Sequence, residues 1–469
     1  MDRDLLIIGG GPGGYVAAIR GAQLGKKVTL IEEDKIGGTC LNRGCIPTKA
    51  LYKNAEVINT LKNIDNFGVT IPSYNIDMTV IQNRKNNIVD KLHSGIDQLL
   101  KGYEIEVIKG KAKFIGNKIV EVISTDNSIS TVTASNIIIA TGSFSTPLNI
   151  PGIELSGVIT SDEVLNIDNI PKSMVILGGG VVGVEFAGIF ASLGTEVTII
   201  EFLPRLMYRL DEEMSKRLTM YLKKKQIKVV TGVGIKEVLS CDDSLKIIAG
   251  NDKGTAEYIC ENMLIAAGRS PNVNNLNLEA ENITFDKKGI KVDEHYETST
   301  KGIYAVGDVI GGQMLAHVAS EEGKACVESI FGHSSRVNYN AVPSCVFSFP
   351  EVASVGMTEE EAKERSINYV ASKSMFGANG KALTMGEGDG IIKVLANKDD
   401  HKILGVHIIG PHASDLIHEG VLSIQNELTI ENVMESVHAH PTLSEAFYEA
   451  VSGLLGEAIH SLPSKIKTN

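Results

Sequence analysis

The sequence lacks the features that mark several broad classes of protein. It contains no tryptophan, and none of its apolar runs approaches the ~18 residues that a membrane-spanning helix needs. It also lacks a block of basic residues, and its formal net charge is −12. An acidic chain of this kind is repelled by the phosphate backbone of nucleic acids. We therefore expect neither a membrane span nor a nucleic-acid partner.

Cysteine is scarce as well. Six cysteines are scattered through 469 residues, too few for a fold that depends on disulfide bonds, and this indicates a reducing compartment. The N-terminus runs directly into an apolar strand pattern, without the charged leader and apolar core of a secretory signal. We expect a cytoplasmic location, although a mature organellar protein would show the same features.

Glycine, by contrast, is plentiful, and some of the glycines occur at regular spacings. The apolar run Leu5–Ile8 predicts a strand, small residues at helical spacing follow, and a second strand at Val28–Ile31 ends in Glu32. The turn after the first strand has the spacing G-x-G-x-x-G, with glycines at Gly9, Gly11 and Gly14. Such a turn lets the backbone approach a pyrophosphate at a helix N-terminus, and the acid accepts hydrogen bonds from a ribose.

The same arrangement occurs a second time. A strand at Met174–Leu177 precedes another glycine-rich turn, and a strand at Val197–Ile200 ends in Glu201. The glycines of this turn are Gly178, Gly180 and Gly183. In both copies the acid follows the last glycine by 18 residues. The repeat predicts two dinucleotide sites rather than a doubly wound sheet that binds nothing, because such a sheet would not need both acids.

Cys40 and Cys45 lie between the first of these units and a predicted helix. On a regular helix their α-carbons would be roughly 9 Å apart, whereas a disulfide needs about 4.4–6.8 Å. A bond between them therefore requires a distorted backbone, and Asn42 and Gly44 are the residues best able to provide it. We interpret the pair as redox-active. The alternative is two buried cysteines that never meet.

The second half of the chain adds two candidate sites. A predicted strand at Ile303–Val306 leads to Asp308, which at a strand end accepts hydrogen bonds from a sugar-like chain or caps a helix. Near the C-terminus, His438 and His440 precede Glu445 on the next helix, where the carboxylate is placed to orient an imidazole. No further cysteine, histidine or aspartate follows at zinc spacing, so we predict acid–base chemistry there and no metal site.

The chain resembles the pyridine nucleotide–disulfide oxidoreductase family through motifs in the same order: GGGPGG, CLNRGCIPTK, GGGVVGVE, AAGRSPN, AVGDV, AHVASEEG and HAHPTLSE. Within the family it is most similar to dihydrolipoamide dehydrogenases, the E3 components of 2-oxo-acid dehydrogenase and glycine-cleavage complexes. The resemblance implies an α/β fold with two Rossmann-like domains, a central domain and an α+β dimerisation domain, assembled as a homodimer. The predicted boundaries are 1–148 (FAD-binding), 149–271 (NAD-binding), 272–341 (central, completing the FAD site) and 342–469 (dimerisation).

The resemblance also assigns catalytic roles. Cys40 would exchange thiols with the dihydrolipoamide of a lipoyl-bearing protein, and Cys45 would be the thiolate that faces the flavin. Lys49 and Glu185 would form an ion pair beside the flavin ring, where a lysine cation stabilises both a thiolate and a reduced flavin. Electrons would pass from the dithiol through the disulfide and FAD to NAD⁺.

His440, reaching across the dimer and oriented by Glu445, would be the base that deprotonates the dithiol. Asp308 would hold the ribityl chain of FAD, and the backbone of Ala316 its ring. The other residues expected at the FAD site are Gly9, Gly11, Gly14, Glu32, Lys49, Ala112, Thr141 and Gly142. The residues expected at the NAD site are Gly178, Gly180, Gly183, Glu201 and Gly268.

The choice of nucleotide and substrate can be narrowed further. Glu201 suits a free ribose 2′-hydroxyl and repels a 2′-phosphate, and no arginine follows before Arg205, so NAD is favoured over NADP. This argues against the NADPH-dependent glutathione and trypanothione reductases. The tail Ser461–Asn469 has no cysteine, unlike the tails of mercuric reductase and the larger thioredoxin reductases. A reductase of another small disulfide remains an alternative, as does a flavoprotein kept as a structural subunit, although the latter would not need the acid–base pair.

One position departs from the family pattern. Arg43 stands between the two cysteines, where many members have valine. A charge there would affect either the docking of the lipoyl carrier or the redox potential, and the sequence leaves both open. The sequence also does not identify which lipoyl-dependent complex the chain would serve, because all of them present the same lipoyl arm.

Overall fold

The structure is a computed structural model that describes residues 3–461 of the chain. A seven-stranded sheet forms the first part of the molecule. The elements up to residue 145 are β1 (Leu5–Ile8), α1 (Pro12–Gln23), β2 (Val28–Glu32), α2 (Gly38–Arg43), α3 (Cys45–Lys62), α4 (Met78–Gly102), β3 (Glu106–Phe114), β4 (Ile119–Ser124), β5 (Ile129–Thr133), β6 (Asn136–Ile139) and β7 (Ser143–Ser145). β1 lies between β2 and β6 in parallel register and is buried along its whole length. Burial on both faces explains its unbroken apolar sequence.

A second parallel sheet repeats this plan. Its segment contains β8 (Val158–Thr160), β9 (Ser173–Leu177), α5 (Val181–Leu193), β10 (Glu196–Glu201), α6 (Glu212–Lys224), β11 (Lys228–Thr231), β12 (Gly234–Cys241), β13 (Ser244–Asn251), β14 (Gly254–Cys260), β15 (Asn262–Ile265) and β16 (Arg269–Pro271). The sheet has the order β11-β10-β9-β15-β8, with β9 as its buried centre. β12, β13 and β14 form a separate antiparallel sheet. The α/β fold class is confirmed, while the exact domain boundaries stay a prediction.

The next segment returns to the first sheet. It contains β17 (Phe285–Asp286), β18 (Gly289–Ile290), β19 (Ile303–Ala305) and α7 (Ala316–Ile330). β19 pairs in parallel with β6 and forms the edge of the seven-stranded sheet, so residues far apart in sequence share one sheet. α7 packs so closely on α1 that a Cβ on Gly323 would overlap the carbonyl oxygen of Gly13.

The last segment has its own antiparallel sheet and core. Its elements are β20 (Ser344–Val346), β21 (Glu351–Gly356), α8 (Glu359–Glu364), β22 (Tyr369–Met375), α9 (Gly380–Met385), β23 (Ile391–Asn397), β24 (Ile403–Gly410), α10 (Ala413–Gln425), α11 (Ile430–Met434) and α12 (Glu445–Ser452). The strands run in the order β20-β21-β24-β23-β22, and the helices cover the sheet. None of the helices described in the chain has the length and apolar character needed to cross a membrane.

A buried ion-pair cluster joins the last segment to the second. Lys393 on β23 is only 2% exposed, and its ammonium group lies 2.8 Å from Asp211 and 2.6 Å from Glu359. Asp211 is also the N-cap of α6, where it accepts a hydrogen bond from the amide of Glu213. One lysine on β23 therefore holds the starts of α6 and α8 together.

Candidate active site

The first glycine-rich turn connects β1 to α1. Gly9 has φ +104°, a conformation that favours glycine, and a Cβ on Gly14 would overlap the carbonyl oxygen of Gly9. The helix can approach the strand end this closely only because Gly14 has no side chain. Gly11 is the N-cap of α1, and a Cβ there would meet only the α-carbon of Gly38, at 3.9 Å. The helix N-terminus thus presents backbone amides to open space.

The second turn, between β9 and α5, has the same geometry. Gly178 has φ +112°, and a Cβ on Gly183 would overlap the carbonyl oxygen of Gly178. Among the residues that the structure describes, chain neighbours apart, none has an atom within 4 Å of a Cβ position on Gly180. The two turns therefore leave free the space that a pyrophosphate would occupy in each unit.

The acids at the ends of β2 and β10 brace these turns. An oxygen of Glu32 accepts a 2.6 Å hydrogen bond from the amide of Gly10, and Glu201 accepts an equivalent 2.6 Å bond from Gly179. Burial raises the pKa of Glu32. In both units the residue that follows the first glycine of the turn is tied to the acid, a contact that we did not predict from the sequence.

Three parallel strands of the first sheet end side by side, because Ile8, Ile139 and Ala305 lie in register. The residues that follow these strands therefore lie together at the C-terminal end of the strands. They include the predicted FAD-site residues Gly9, Thr141, Gly142 and Asp308. Ala316 is the first residue of α7. Ala112 lies on β3, three residues after Lys109, the strand partner of Glu32. Within the described residues, chain neighbours apart, no atom lies within 4 Å of a Cβ position at Gly142 or, in the second unit, at Gly268, so the space beside both glycines is open.

The two cysteines meet at a break between two helices. α2 ends at Arg43, α3 begins at Cys45, and a Cβ on Gly44 would lie 2.9 Å from the carbonyl oxygen of Thr39. Both cysteines are free thiols, and Cys40 forms a hydrogen bond to Cys45, which excludes the alternative that they never meet. Our expectation for Asn42 was wrong: it stays within α2, because its side-chain amide donates to carbonyl oxygens at the start of the helix.

The two thiols differ in acidity. The hydrogen bond from Cys40 and then the charge of Lys49 lower the pKa of Cys45 to about 7, against the opposing effect of burial. The same hydrogen bond, together with burial, raises the pKa of Cys40. A single proton therefore stays on Cys40 while Cys45 becomes the thiolate.

Lys49 and Glu185 form the predicted ion pair. The lysine nitrogen lies 3.0 and 2.9 Å from the two carboxylate oxygens, and Glu185 has a side chain that is 4% exposed. The amide of Phe347 donates to the same carboxylate at 3.0 Å, and the Phe347 ring lies 4.5 Å from the lysine nitrogen. Burial raises the pKa of Glu185, and Lys49 opposes this effect. The pair joins α3 of the first segment to α5 of the second, next to the thiols.

His440 and Glu445 form the second predicted pair. The Nδ1 atom of His440 lies 2.8 Å from Glu445, and the amide of Thr442 donates to the other carboxylate oxygen at 2.8 Å. Burial alone would raise the pKa of Glu445, but the Thr442 amide and the imidazole lower it overall. The His440 side chain is 79% exposed, and within residues 3–461 no hydrogen bond joins it to either thiol.

Arg43 has partners on two segments. Its guanidinium lies 2.8 Å from Asp34, just after β2, and 3.8 Å from Asp162, between β8 and β9. The positive charge of Arg43 is therefore paired with one carboxylate in each of two segments.

Arg205, the first arginine after Glu201, is also engaged. It donates to the carbonyl oxygens of Tyr208 and Leu210 at 2.9 and 3.2 Å. Because these bonds hold the guanidinium against backbone carbonyls, a 2′-phosphate would have to compete with them.

Sequence reasoning missed one set of contacts at the edge of the first sheet. Arg269 donates through Nε to the hydroxyl of Ser143 at 2.7 Å, and this hydroxyl donates to Asp308 at 2.5 Å. The available signal was that Ser143 and Arg269 each follow the glycine of one of two similar strand ends. Within the described residues, no group of three histidine, cysteine or acidic side chains is arranged to hold a metal ion.

Comparison with known proteins identifies the chain's relatives. Family models described as pyridine nucleotide-disulphide oxidoreductase and its dimerisation domain match residues 3–323 and 342–451. A dihydrolipoyl dehydrogenase of Bacillus subtilis is 42% identical, over 97% of this chain and 99% of the relative. That of Geobacillus stearothermophilus is 41% identical, over 98% of both chains. The solved structure of an HOCl-induced flavoprotein disulfide reductase from Escherichia coli superposes with a TM-score of 0.87 at 27% identity, covering 96% of this chain and 99% of the other.

Proposed function

Because the chain belongs to the pyridine nucleotide-disulphide oxidoreductase family, we propose that it oxidises protein-bound dihydrolipoamide to lipoamide and reduces NAD⁺ to NADH. In this role it is the E3 component of a 2-oxo-acid dehydrogenase or glycine-cleavage complex. The observation that carries the proposal is the asymmetric thiol pair, in which Cys40 and the Lys49 cation, itself paired with Glu185, lower the pKa of Cys45. The curated relatives named dihydrolipoyl dehydrogenase support it.

Thiol–disulfide exchange accounts for the protein's part of the reaction. In the oxidised protein, His440 accepts a proton from dihydrolipoamide, and the substrate thiolate attacks the sulfur of Cys40. The Cys40–Cys45 bond breaks and Cys45 leaves as a thiolate, which its lowered pKa favours. The second substrate thiol then releases its proton to solvent and attacks the substrate sulfur of the mixed disulfide, so the bond to Cys40 breaks, lipoamide leaves and His440 returns the first proton to Cys40. The products are lipoamide, one released proton and the reduced protein, with a thiol at Cys40 and a thiolate at Cys45.

The two glycine-rich turns fit FAD at the first unit and NAD at the second. FAD, when bound, supplies the two-electron chemistry between the dithiol and NAD⁺. On the protein's side, the amides at the N-termini of α1 and α5 would hold the phosphates, and Glu32 and Glu201 would accept hydrogen bonds from the ribose hydroxyls. Lys49 places a cation beside the thiolate, and Glu185 keeps that lysine in position.

A homodimer would complete the active site. His440 is exposed in its own chain, and Val437, three residues earlier, is fully exposed, as are large parts of Leu422 and Ile459. Exposed apolar side chains of this kind are suited to burial against a second copy. The match of residues 342–451 to a dimerisation domain supports this assembly.

Anaerobic titration of the FAD-loaded protein tests the proposal. Both dihydrolipoamide and NADH should produce the long-wavelength absorption band of the two-electron-reduced protein, and the dithiol should be turned over with NAD⁺. Cys45→Ser should abolish both the band and the turnover, whereas Cys241→Ser, at the end of β12, should leave them intact. Turnover by Cys45→Ser at the unaltered rate would exclude the proposed relay.

A reductase of another small disulfide is the second candidate. It is supported by the structural similarity to the flavoprotein disulfide reductase from Escherichia coli. Comparison of kcat/KM for lipoamide with that for glutathione disulfide and cystine, each with NADH, separates the two candidates. A higher value for one of the other disulfides would favour the reductase.

A further inference from the structure

Three residues from three segments form a hydrogen-bond chain at the C-terminal ends of the parallel strands of the first sheet. Arg269 donates two hydrogen bonds to Ser143. Its Nε atom donates to the serine hydroxyl and a terminal nitrogen donates to the serine carbonyl oxygen, both at 2.7 Å. A serine hydroxyl has one hydrogen to donate. Because the hydroxyl oxygen already accepts from Arg269, its hydrogen is free for Asp308, 2.5 Å away.

The backbone fixes this arrangement. β7 and β16 pair in an antiparallel ribbon with Pro271 opposite Ser143 and Arg269 opposite Ser145, which holds the guanidinium beside the serine. The ribbon joins the first segment to the second. Each of its strands begins just after one of the strand ends at which a dinucleotide would bind.

Glu322, on α7, also holds the turn that carries Asp308. The amide of Gly307 donates to Glu322 at 2.7 Å, and Tyr339 donates to the second oxygen of that carboxylate at 2.7 Å. Glu322 is 4% exposed. Among the described residues, Ser143 is the only side chain that donates to the Asp308 carboxylate, and it uses one of the two oxygens. Within residues 3–461 the other oxygen accepts no hydrogen bond, so it can accept one from a ligand.

We propose that Ser143 and Arg269 are positioning residues that orient the Asp308 carboxylate toward the ribityl hydroxyls of FAD. A hydrogen bond from Ser143 prevents the carboxylate from rotating, and the positive charge of Arg269 strengthens that bond by polarising the hydroxyl. Through the ribbon, the second segment then contributes to FAD affinity without contacting the flavin. This inference rests on the proposed function only in taking FAD as the ligand of the first unit.

Titration of the FAD-free protein with FAD, followed by flavin fluorescence, tests the inference. Ser143→Ala and Arg269→Met should each weaken FAD binding by roughly ten-fold, the effect of losing a hydrogen bond to a charged group. Ser270→Ala is the matched control, because it removes a 2.9 Å bond to Thr146 in the same ribbon without touching Asp308. Unaltered affinity in Ser143→Ala, or an equal loss in the control, would overturn the inference.

A double-mutant cycle separates positioning from a loss of fold. If Arg269 acts through Asp308, then Arg269→Met should change FAD affinity by less than about two-fold when Asp308→Asn is already present. Additive losses would instead show that Arg269 supports the ribbon alone, and would overturn the inference. Thermal melting of the FAD-free variants checks that they are folded. Dithiol turnover is measured separately, so failure of the proposed function leaves this result interpretable.

Discussion

Two chemically identical thiols differ in acidity because their surroundings differ. Cys45 receives a hydrogen bond from Cys40 and lies beside Lys49, while Cys40 keeps the shared proton. The more acidic thiol is the one beside the ion pair that links the two nucleotide-binding segments. The hydrogen bond from Cys40 and the charge of Lys49 therefore make Cys45 the better leaving group of the two thiols.

The pH dependence of thiol alkylation should report this asymmetry. In the reduced protein, alkylation of Cys45 by iodoacetamide should rise with pH with a midpoint near the pKa of about 7, because only the thiolate reacts. Lys49→Met should move the midpoint to higher pH, since a cation that favours the thiolate is lost. Lys53→Met, which removes an exposed lysine one turn further along α3, is the control. An unshifted midpoint in Lys49→Met would contradict the assignment of Lys49.

At the scale of elements, the break between α2 and α3 decides whether the thiols meet. Cys40 lies on one helix and Cys45 begins the next, so the backbone at Gly44 sets the distance between them. The position tolerates no side chain, because a Cβ would press against the carbonyl oxygen of Thr39 at 2.9 Å and the α-carbon of Cys40 at 3.3 Å.

Gly44→Ala should therefore separate the thiols. We expect slower disulfide formation and a higher pKa for Cys45, because the hydrogen bond from Cys40 is weakened, with a stability loss of about 1–3 kcal/mol from overpacking. Counting free thiols during controlled oxidation, alongside urea unfolding, measures both effects. Gly95→Ala in α4 is the control: no atom lies within 4 Å of its Cβ position, and alanine favours a helix interior. Equal oxidation rates in the two variants would contradict the role of Gly44.

Local patterns predicted some elements well and others not at all. The apolar runs of β1 and β9, with their glycine-rich turns, were visible in the sequence because each is a contiguous signal. The antiparallel sheet β12-β13-β14 was missed, although its buried positions, such as Val238 and Ile247, alternate with polar ones and polar turn residues separate its strands. The Arg269–Ser143–Asp308 contacts depend on strands that meet only in the fold. Sequence spacing alone cannot provide such pairings.

At the scale of the whole molecule, the cluster around Lys393 joins the second segment to the last, beside an apolar core that both segments share through residues such as Met214 and Ile391. Burial alone would raise the pKa of Glu359. Hydrogen bonds from Lys393 and Lys363 outweigh this effect and lower the pKa to about 2 from its usual 4.5. A carboxylate with a lowered pKa stabilises the fold above its usual pKa, and this contribution is lost as the pH falls toward the lowered value.

Acid unfolding should therefore depend on this cluster. The free energy of unfolding should fall between pH 4.5 and about 2, and less steeply in Glu359→Gln. Lys393→Met should cost about 3 kcal/mol at neutral pH, because it leaves buried carboxylates without their cation. Lys216→Met, which removes an exposed partner of Glu212, should change stability by less than about 0.5 kcal/mol. Urea unfolding at a series of pH values measures these differences, and similar losses in both lysine variants would contradict the coupling.

Complementation between two inactive chains tests whether the active site spans two subunits. Cys45→Ser lacks the relay thiol and His440→Gln lacks the base, so each homodimer should be inactive. A heterodimer purified through two different tags contains one intact site, formed by the thiols of one chain and the histidine of the other, and should have about half of the wild-type activity. An inactive heterodimer would place His440 and the thiols of the same chain in one site.

The position of β19 has a consequence for biosynthesis. The first sheet needs a strand from residues 303–305, while the second parallel sheet is complete by residue 265. At a synthesis rate of roughly 5–20 residues per second, about 10–30 s pass between the emergence of β6 and that of β19 from the ribosome. During that interval the edge of β6 has no partner strand, and the strands of the second parallel sheet are all available before those of the first.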